Sequence, residues 1–534
     1  MSITTTAPER RRPTTGVPAR LRARLSGDPV VFTRWGWAAF AVVTVVAGLL
    51  RFWNLDYPGR LIFDETYYVK DGWALWNFGH EMKWPEEPNP DFVAGNPQPL
   101  DEPGYVVHPP LGKWIIGAGM AIFGVDNGYG WRFSAAAAGT IMVFLFMIIV
   151  TRMLRAQFFG VLGGILMAVD GHHLVLSRTG LLDIFLALFV LAAFLALLYD
   201  QRWHRQRLLQ HAVSGQQPRF VARLWRPWWL LAAVLLACAT SVKLSALAFV
   251  GMFCLLSLAW DWQGRRILAQ ELPDQPAPLR TTFLYDWFPA LLTAIPLYAV
   301  SYVATWSGWI FGSGGYGRQW SAEHPSAGIG GLFPDWFRSL YRYHRESTQF
   351  HAGLSSEHSY ASTPWTWWFM GRPTSFFYEG TKRGEDGCVH ESCSAAITDL
   401  ANPMLWWAGA LAFLVVLFLA VARNDWRAWA IIAAYIAGFF VWLAFPDRTM
   451  FFFYTIAYQP FLILAVLLAL AWLMRLMSRR QLALTGRYSR AATLGAIGFV
   501  VAVVAVSAFF LPVWTGEQIN YDAWRARMWF SSWI

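Results

Sequence analysis

The chain has 534 residues, of which 56% are hydrophobic, 17% aromatic and only 14% charged. These values are typical of polytopic membrane proteins and exclude an ordinary soluble domain. The net charge of +10 would be compatible with nucleic-acid binding, but the basic residues are spread between apolar segments and form no single patch. A nucleic-acid partner is therefore excluded.

Apolar stretches of membrane length recur along the chain after a polar start. Residues 1–33 are mostly polar and Arg-rich, which predicts a disordered basic tail. No short apolar core with a small-residue cleavage site follows, as a signal peptide would require. Beyond the tail, the hydropathy pattern predicts about eleven spanning helices, near residues 34–53, 132–151, 158–175, 180–199, 227–242, 244–261, 286–306, 403–422, 428–445, 451–474 and 491–512.

Basic residues decide the predicted orientation. The segment 111–124 is too short to span, so we expect it to be re-entrant or interfacial; if it spanned, everything after it would be inverted. With this segment left out, the arginine-rich loops and the basic tail share one side, as the positive-inside rule expects of the cytoplasm. The outer face then receives the loop 54–131, the loop 307–402 and the tail 513–534, all within one unit, 34–534. Aromatic amphipathic pieces in the two large loops predict interfacial helices.

An acid pair, Asp64 and Glu65, follows the first span and lies at the outer face between aromatic residues. Adjacent carboxylates repel, which raises the pKa of one of them unless a cation compensates. Such a pair can be a general base, a metal ligand or a solvated loop charge. Its position favours a membrane enzyme that meets one substrate from the bilayer and another from the water.

Further ionisable residues lie in or near the spans, where charges are costly and are usually functional or paired. His108 and Lys113 belong to the sequence HPPLGK, Arg132 begins the second span, and Asp183 lies near the outer end of the fourth. Structural alternatives stay open, since Arg132 could be a helix-end side chain that reaches the interface. Asp183 could likewise pair with an arginine.

Two cations on the outer face depart from the positive-inside trend. Lys243 lies between two apolar segments and Arg448 lies in the short loop PDRTM. Cations that converge there could hold a lipid phosphate. Pairing of Arg448 with Asp447 is the structural alternative.

Two of the four cysteines, Cys388 and Cys393, lie in the polar loop sequence CVHESC. A disulfide is expected if that loop faces an oxidising compartment. Two free thiols are the alternative. Zinc is less well supported, because only His390 and Glu391 stand close by.

Taken together and in this order, these motifs resemble the protein O-mannosyltransferase family of GT-C glycosyltransferases. The resemblance covers nearly the whole chain after residue 35. It rests on LIFDE and YY within 61–68, HPPLGK at 108–113, GWR at 130–132, LLD at 181–183, SVK at 241–243, HSYAS and WTW within 358–367, and RTMF at 448–451. The loop 307–402 is too short for the soluble insert of fungal and animal members, so the chain resembles a bacterial member. Its composition is compatible with an actinobacterium.

The resemblance implies an all-α polytopic GT-C fold. It also implies transfer of mannose from polyprenyl-phosphate-mannose to Ser or Thr hydroxyls of proteins during Sec export. The reaction would take place at the outer face of the plasma membrane, with inversion at the anomeric carbon. Asp64 would be the base beside Glu65, and the phosphate would be stabilised by Arg132, Lys243 and Arg448. The supporting residues would be His108, Lys113, Asp183 and His358.

No cofactor is certain from the sequence. A divalent cation could assist the leaving phosphate, but no ligand set is visible beyond Asp64, Glu65 and Asp183. Two rival functions stay open. Another polyprenyl-phosphate-sugar transferase, with a glycolipid or polysaccharide acceptor, would share the fold and Asp64. A transporter or flippase would have midplane charges and broken helices in repeated positions, whereas no internal repeat is visible and the polar motifs lie at one face.

Overall fold

The computed structural model describes residues 19–26, 30–105, 107–214, 223–272, 276–485 and 487–534. Within these ranges, nine helices are long and apolar enough to cross a membrane. They are Arg34–Phe52, Gly128–Leu154, Asp183–Ser214, Ala246–Glu271, Pro278–Ala304, Pro403–Arg423, Trp426–Ala444, Gln459–Met477 and Arg490–Phe510. One continuous apolar core runs through this bundle.

The nine long helices correspond to nine of the eleven predicted spans. The other two correspond to shorter apolar helices, Gln157–Val169 and Pro227–Thr240. Gln157–Val169 is continued by the short helix Gly171–Leu176, and Pro227–Thr240 packs between Asp183–Ser214 and the span Pro278–Ala304. Nine of the eleven predicted spans therefore have the length and composition of a span, and the other two are helices of 13 and 14 residues.

The helix Leu111–Phe123 packs beside a second helix of the same connection, Glu65–Phe78. Its 13 residues give a length of about 20 Å, short of the roughly 30 Å of a hydrocarbon core. Glycine permits the close approach, because a Cβ on Gly117 would lie 2.4 Å from the carbonyl oxygen of Gly72. This helix lies where the sequence predicts a re-entrant or interfacial segment.

The connection between Pro278–Ala304 and Pro403–Arg423 contains the amphipathic helix Asp335–Gly353. A separate apolar cluster of Trp306, Trp309, Leu340 and Tyr343 fastens this helix to the end of the preceding span. The remaining short helices are Asn89–Val93, Ser307–Phe311, Trp320–Glu323, Gly328–Leu332, Pro364–Trp367, Phe452–Ala457, Arg479–Thr485, Pro512–Thr515, Tyr521–Arg525 and Ser531–Trp533.

A small antiparallel sheet, absent from the sequence-based prediction, completes the fold. Its strands are β1 (Thr374–Lys382), β2 (Ser392–Asp399) and β3 (Ile519–Asn520), in the order β1-β2-β3. Cys388 and Cys393, the pair for which the sequence predicts a bridge, are joined by a disulfide at the hairpin end. Aromatic and β-branched residues on both sides of a Gly- and Asp-containing turn were the available signal.

The disordered tail predicted for 1–33 falls mainly outside the described residues. Within it, however, Ala19–Ser26 forms a helix, so for those residues the prediction is wrong. Leu21 and Leu25 are buried against Leu208 and Leu268. Two leucines four residues apart lie on the same face of a helix, and this short apolar face is what secures the segment.

Candidate active site

Asp64 stands at the start of the helix Glu65–Phe78, directly after a residue in an unusual conformation. Phe63 has φ +48°, which is rare for a bulky side chain. Its ring stacks on Phe376 with centroids 4.8 Å apart and meets Phe453 edge-on at 5.7 Å. Conformations of this kind persist only where the surrounding packing holds them. Aromatic packing therefore fixes the backbone from which the Asp64 carboxylate projects.

The surroundings of Asp64 give its carboxyl group an altered acidity. Burial, with a smaller contribution from the negative charge of Asp183, raises its pKa to about 6, while Lys243 and a hydrogen bond from Tyr68 act in the opposite direction. A carboxylate whose pKa lies near neutrality is suited to accept a proton. Asp64 is also half-buried, so it remains accessible to a substrate.

Glu65 faces away from this environment and is fully buried. Its Oε1 and Oε2 lie 2.8 Å and 2.9 Å from Nε and Nη2 of Arg132. The backbone N–H groups of Ile62 and Gly180 also donate to the same carboxylate. With two backbone donors and a bidentate guanidinium, Glu65 is saturated, so it is placed to hold the chain beside Asp64 and not to take a proton.

Arg132 is saturated as well. Besides Glu65, its guanidinium donates to four backbone carbonyls in the segment that leads to Asp64, those of Leu55, Asp56, Pro58 and Arg60. All five of its N–H groups thus have protein acceptors. The prediction that Arg132 binds the donor phosphate is therefore not supported, because it has no donor left for that contact.

A cavity of 360 Å³ is lined by Asp183 and Lys243, the two charged residues that act on the pKa of Asp64, although Asp64 itself does not line it. Its polar end is lined by His108, Asp183, Lys243, His351, Arg448 and Tyr454. Its apolar end is lined by Leu247, Ala248, Ala437, Gly438, Val441 and Phe445, all on membrane-spanning helices or adjoining them. A cavity with cations at one end and aliphatic walls at the other fits a ligand that is charged at one end and hydrocarbon at the other.

Lys243 belongs to the polar end and is paired. Its Nζ lies 2.7 Å from Oδ2 of Asp183, and it stands 5.3 Å from the ring centroid of Tyr454. The partner of Asp183 is therefore a lysine, not the arginine considered from the sequence. This ion pair uses one of the three N–H donors of Lys243, which leaves the ammonium group able to contact a further anion.

Arg448 is the cation of the cavity that has no acidic partner. No carboxylate of the described residues lies within ion-pair distance of it, so the pairing with Asp447 considered above is not found. Its Nε is buried without a hydrogen-bond partner, and its guanidinium lies 5.3 Å from the ring centroid of Trp442. An unmatched guanidinium at the end of a cavity is a site for an anionic oxygen.

His108 and His351 stack at the same end, with ring centroids 4.8 Å apart. Burial, assisted by nearby cations such as Lys243, holds the pKa of His108 well below its usual value, and burial lowers that of His351. His351 Nε2 lies 2.5 Å from the carbonyl oxygen of Val107, which it donates to, and its Nδ1 lies 3.4 Å from Arg448 Nη2. His351 thus orients Arg448. Sequence reasoning missed it, because no motif near His351 links it to a loop some 240 residues earlier.

The other predicted residues lie around this centre or away from it. Lys113 is fully buried and pairs with Glu81 at 3.0 Å and Asp71 at 3.4 Å, so it ties the first large loop together and does not line the cavity. His358 is exposed and contacts the ring of Phe451 at 4.9 Å. It therefore lies on the solvent side of the aromatic cluster around Phe63.

The described residues contain no group of three or more His, Cys, Asp or Glu side chains able to hold a metal ion. In the ligand set considered from the sequence, Glu65 is engaged by Arg132 and Asp183 by Lys243. The divalent cation stays a prediction.

This geometry defines a class of protein. A helical membrane bundle with a half-buried carboxylate, and a cavity that is cationic at one end and apolar at the other, is that of a GT-C membrane glycosyltransferase. The fold agrees: the structure of the S. cerevisiae protein O-mannosyltransferase Pmt1-Pmt2 complex bound to the sugar donor matches with a TM-score of 0.69 at 13% identity, over 97% of this chain and 95% of that chain.

Sequence comparison gives the family. The family model for dolichyl-phosphate-mannose-protein mannosyltransferase matches residues 41–309, and that for the C-terminal four-helix region of protein O-mannosyltransferases matches 336–533. The polyprenol-phosphate-mannose–protein mannosyltransferase of Mycolicibacterium smegmatis is 34% identical over 93% of both chains. That of Corynebacterium glutamicum is 31% identical over 94% of both. The chain belongs to the protein O-mannosyltransferase family, which confirms the resemblance drawn from the motifs.

Proposed function

We propose that the protein transfers mannose from polyprenyl-phosphate-mannose to Ser or Thr hydroxyls of exported proteins, with inversion at the anomeric carbon. Family membership makes it a mannosyltransferase. The observation that carries the proposal is the cavity: its cations suit a phosphate, and its apolar walls suit the prenyl chain attached to that phosphate.

Asp64 is assigned the role of general base. A hydroxyl is a weak nucleophile and gains from a positioned base. As the acceptor oxygen attacks the anomeric carbon, its proton passes to the Asp64 carboxylate and the bond from that carbon to the phosphate oxygen breaks. Polyprenyl phosphate leaves with the bonding electrons. Attack from the side opposite the leaving group inverts the anomeric centre.

Lys243 and Arg448 are assigned to the phosphate. Negative charge grows on the phosphate as the sugar departs, and preorganised cations that meet this charge lower the barrier. Asp183 and His351 hold the two cations by direct contacts. His108 contributes a buried Nδ1 that has no partner in the protein and can face the bound donor.

Glu65 and Arg132 are assigned the role of positioning Asp64, without direct contact with either substrate. The two side chains lock the segment that precedes Asp64 to the helix Gly128–Leu154. The Asp64 carboxylate is then already in position when the reaction begins. Groups held in the reactive geometry increase the rate because no reorganisation is needed.

The active site is proposed to lie at the outer face of the plasma membrane, with the N-terminus in the cytoplasm. The support is the charge asymmetry of the loops and an odd number of spans. Reporter fusions after residues 215 and 480 should read cytoplasmic and a fusion after 534 external. A cytoplasmic reading at 534 would contradict this orientation.

The function is tested with membranes that contain the protein and with radiolabelled polyprenyl-phosphate-mannose. Three acceptors are compared: a Ser/Thr-rich peptide, the same peptide with Ala at every Ser and Thr, and a glycolipid. Label should enter the first peptide only, and Asp64→Asn membranes provide the blank. Label in the glycolipid and not in the peptide would contradict a protein acceptor while leaving the donor chemistry intact.

A further inference from the structure

A second polar groove lies at the membrane face opposite Asp64. Its volume is 400 Å³, and it is bounded by Ala246–Glu271, the start of Trp426–Gly438 and the N-terminal helix Ala19–Ser26. One helix serves both sites: Leu247 lines the active-site cavity and Arg266 lines this groove. The two residues are about 28 Å apart along the helix axis, which is close to the thickness of the hydrocarbon core.

The groove offers several hydrogen-bond donors. Three amide side chains line it, and the oxygen of each already accepts a hydrogen bond. Gln263 accepts from Arg205 at 2.7 Å, Gln270 from Arg24 at 2.8 Å and Asn424 from Trp429 at 3.2 Å. Their NH₂ groups have no acceptor within the described part of the chain. Each amide therefore still has its NH₂ donors available to a ligand.

Trp260 also lines this groove and carries a buried hydrogen-bond donor. Its side chain is 4% exposed, and its indole Nε1–H is buried without a partner. A buried donor left unpaired costs free energy, and such groups are uncommon in folded proteins. An acceptor supplied by a ligand would remove this cost.

A positive charge accompanies these donors. Arg266 is exposed, lies 4.8 Å from the ring centroid of Trp262, and has no carboxylate of the described residues within ion-pair distance. Arg24 also lines the groove, but its charge is balanced by Glu271 at 3.0 Å. The groove thus carries one unmatched cation and several N–H donors, which is complementary to an anion.

The other end of the groove is apolar. Leu256 and Ala259 lie up to about 20 Å from Gln270 along the helix, toward the middle of the bilayer, and Trp426 and Trp429 close the opposite wall. Tryptophan is enriched at the boundary between hydrocarbon and water. A ligand that fills the groove would have an anionic head at 260–270 and a hydrocarbon chain along 256–259.

We propose that this groove binds a membrane phospholipid with an anionic headgroup, taken from the leaflet opposite the active site. The phosphate accepts hydrogen bonds from Trp260 Nε1, from the amide NH₂ groups and from Arg266, and an acyl chain lies against Leu256 and Ala259. Basic pockets between spanning helices recognise anionic headgroups in this way. The bound lipid contacts both the N-terminal helix and the helix Trp426–Gly438, so it links the two halves of the bundle.

The test uses the purified full-length protein in an uncharged detergent. Phosphatidylglycerol and phosphatidylcholine with identical acyl chains are titrated separately, and thermal unfolding and the number of bound lipids by native mass spectrometry are recorded. Phosphatidylglycerol should raise the unfolding temperature more than phosphatidylcholine, since a ligand of the folded state stabilises it. Arg266→Gln should weaken phosphatidylglycerol binding by about fivefold, the share of one cation near an anionic headgroup.

Trp260→Phe keeps the ring and removes the donor, and should also weaken binding by about fivefold. Arg480→Gln, an exposed arginine outside the groove, is the matched control and should bind like the unmodified protein. The surface change Arg266→Gln keeps the test valid if Trp260→Phe folds poorly. Equal effects of the two lipids, or unchanged binding in Arg266→Gln, would overturn the proposal. So would a full effect of inorganic phosphate alone, which would indicate an ion site without a lipid.

Discussion

The two ends of the bundle use charged residues in different ways. At the face opposite Asp64, Arg226 is bidentate to two aspartates, with contacts of 2.5 Å to Asp200 and 2.7 Å to Asp261. The same network continues through an Arg265–Asp286 pair at 2.8 Å. Each of these guanidinium groups is buried and meets at least one carboxylate.

Around the active-site cavity the balance is reversed. Lys243 has a single carboxylate, and Arg448 has none within the described residues. Matched charges join helices, whereas cations in excess, beside a cavity, are stable only if a ligand or water completes them. Pairing, more than residue type, therefore separates the structural charges of this bundle from those assigned to the substrate.

The largest effect is expected at the reacting carboxylate. Asp64→Asn keeps the size of the side chain but cannot accept a proton, so mannose transfer should fall by roughly 10²- to 10⁴-fold, with insertion and donor binding preserved. Turnover of labelled donor measures this. Glu65→Gln should lose less turnover but also lose thermal stability, because buried Arg132 is left without its anion. Normal turnover in Asp64→Asn with loss in Glu65→Gln would exchange the two roles.

At the face opposite Asp64, substitutions should lower folding stability without changing the kinetics of mannose transfer. Arg226→Met leaves two buried aspartates without their cation, which should cost roughly 3–5 kcal/mol of folding stability. Thermal unfolding in detergent measures the loss, and the KM for the donor in the folded fraction should be unchanged. Arg423→Gln, an exposed change, serves as the control. A selective rise in donor KM would mean that this network also contacts substrate.

Arg448, the cation of the active-site cavity without an acidic partner, should give the converse result. Arg448→Ala should reduce donor use by roughly 10- to 100-fold, the worth of a charged contact to phosphate, with little change in unfolding temperature. Lys243→Ala should do the same and also destabilise, because Asp183 then stays buried without a partner. Steady-state kinetics with varied donor and fixed peptide separate the two variants. Unchanged donor kinetics in both would remove the phosphate assignment.

The acidity of Asp64 predicts a pH dependence. Its pKa of about 6 means that below this pH the group is protonated and cannot act as a base. Then kcat/KM should fall tenfold for each pH unit below about 6 and level off above it. The residual activity of Asp64→Asn should not show this decrease in kcat/KM below pH 6. The same decrease in that variant would assign the titration to another group.

The smallest effect is expected at the hairpin. In a Cys238→Ser, Cys254→Ser background, a thiol probe should label neither Cys388 nor Cys393 until reductant is added. Replacing the bridged pair with Ser should keep turnover within about twofold, because the bridge closes a surface turn away from the cavity. Labelling without reductant would contradict the bridge.

The sequence was sufficient to predict which residues at the ends of spans lie at the same membrane face. Asp64, Lys243 and Arg448 each lie next to an apolar segment, so counting spans placed them on the same side before any contact was known. His351 could not be found in this way, because it comes from an amphipathic helix with no motif. The contacts of Arg132 could not be found in this way either, since four of its partners are backbone carbonyls whose positions depend on the path of a loop.

The hydrogen bonds from Arg132 to four backbone carbonyls show why a substitution that keeps the positive charge would not preserve this part of the structure. The segment 55–60 is neither helix nor strand, so its carbonyls lack the partners that regular structure would give them. One planar guanidinium serves four of them, and thereby gives an irregular segment the fixed shape of a secondary-structure element. A lysine at this position would carry the same charge but only three donors, without the planar fork. Arg132→Lys would therefore loosen the segment that positions Asp64, although the net charge of the protein would not change.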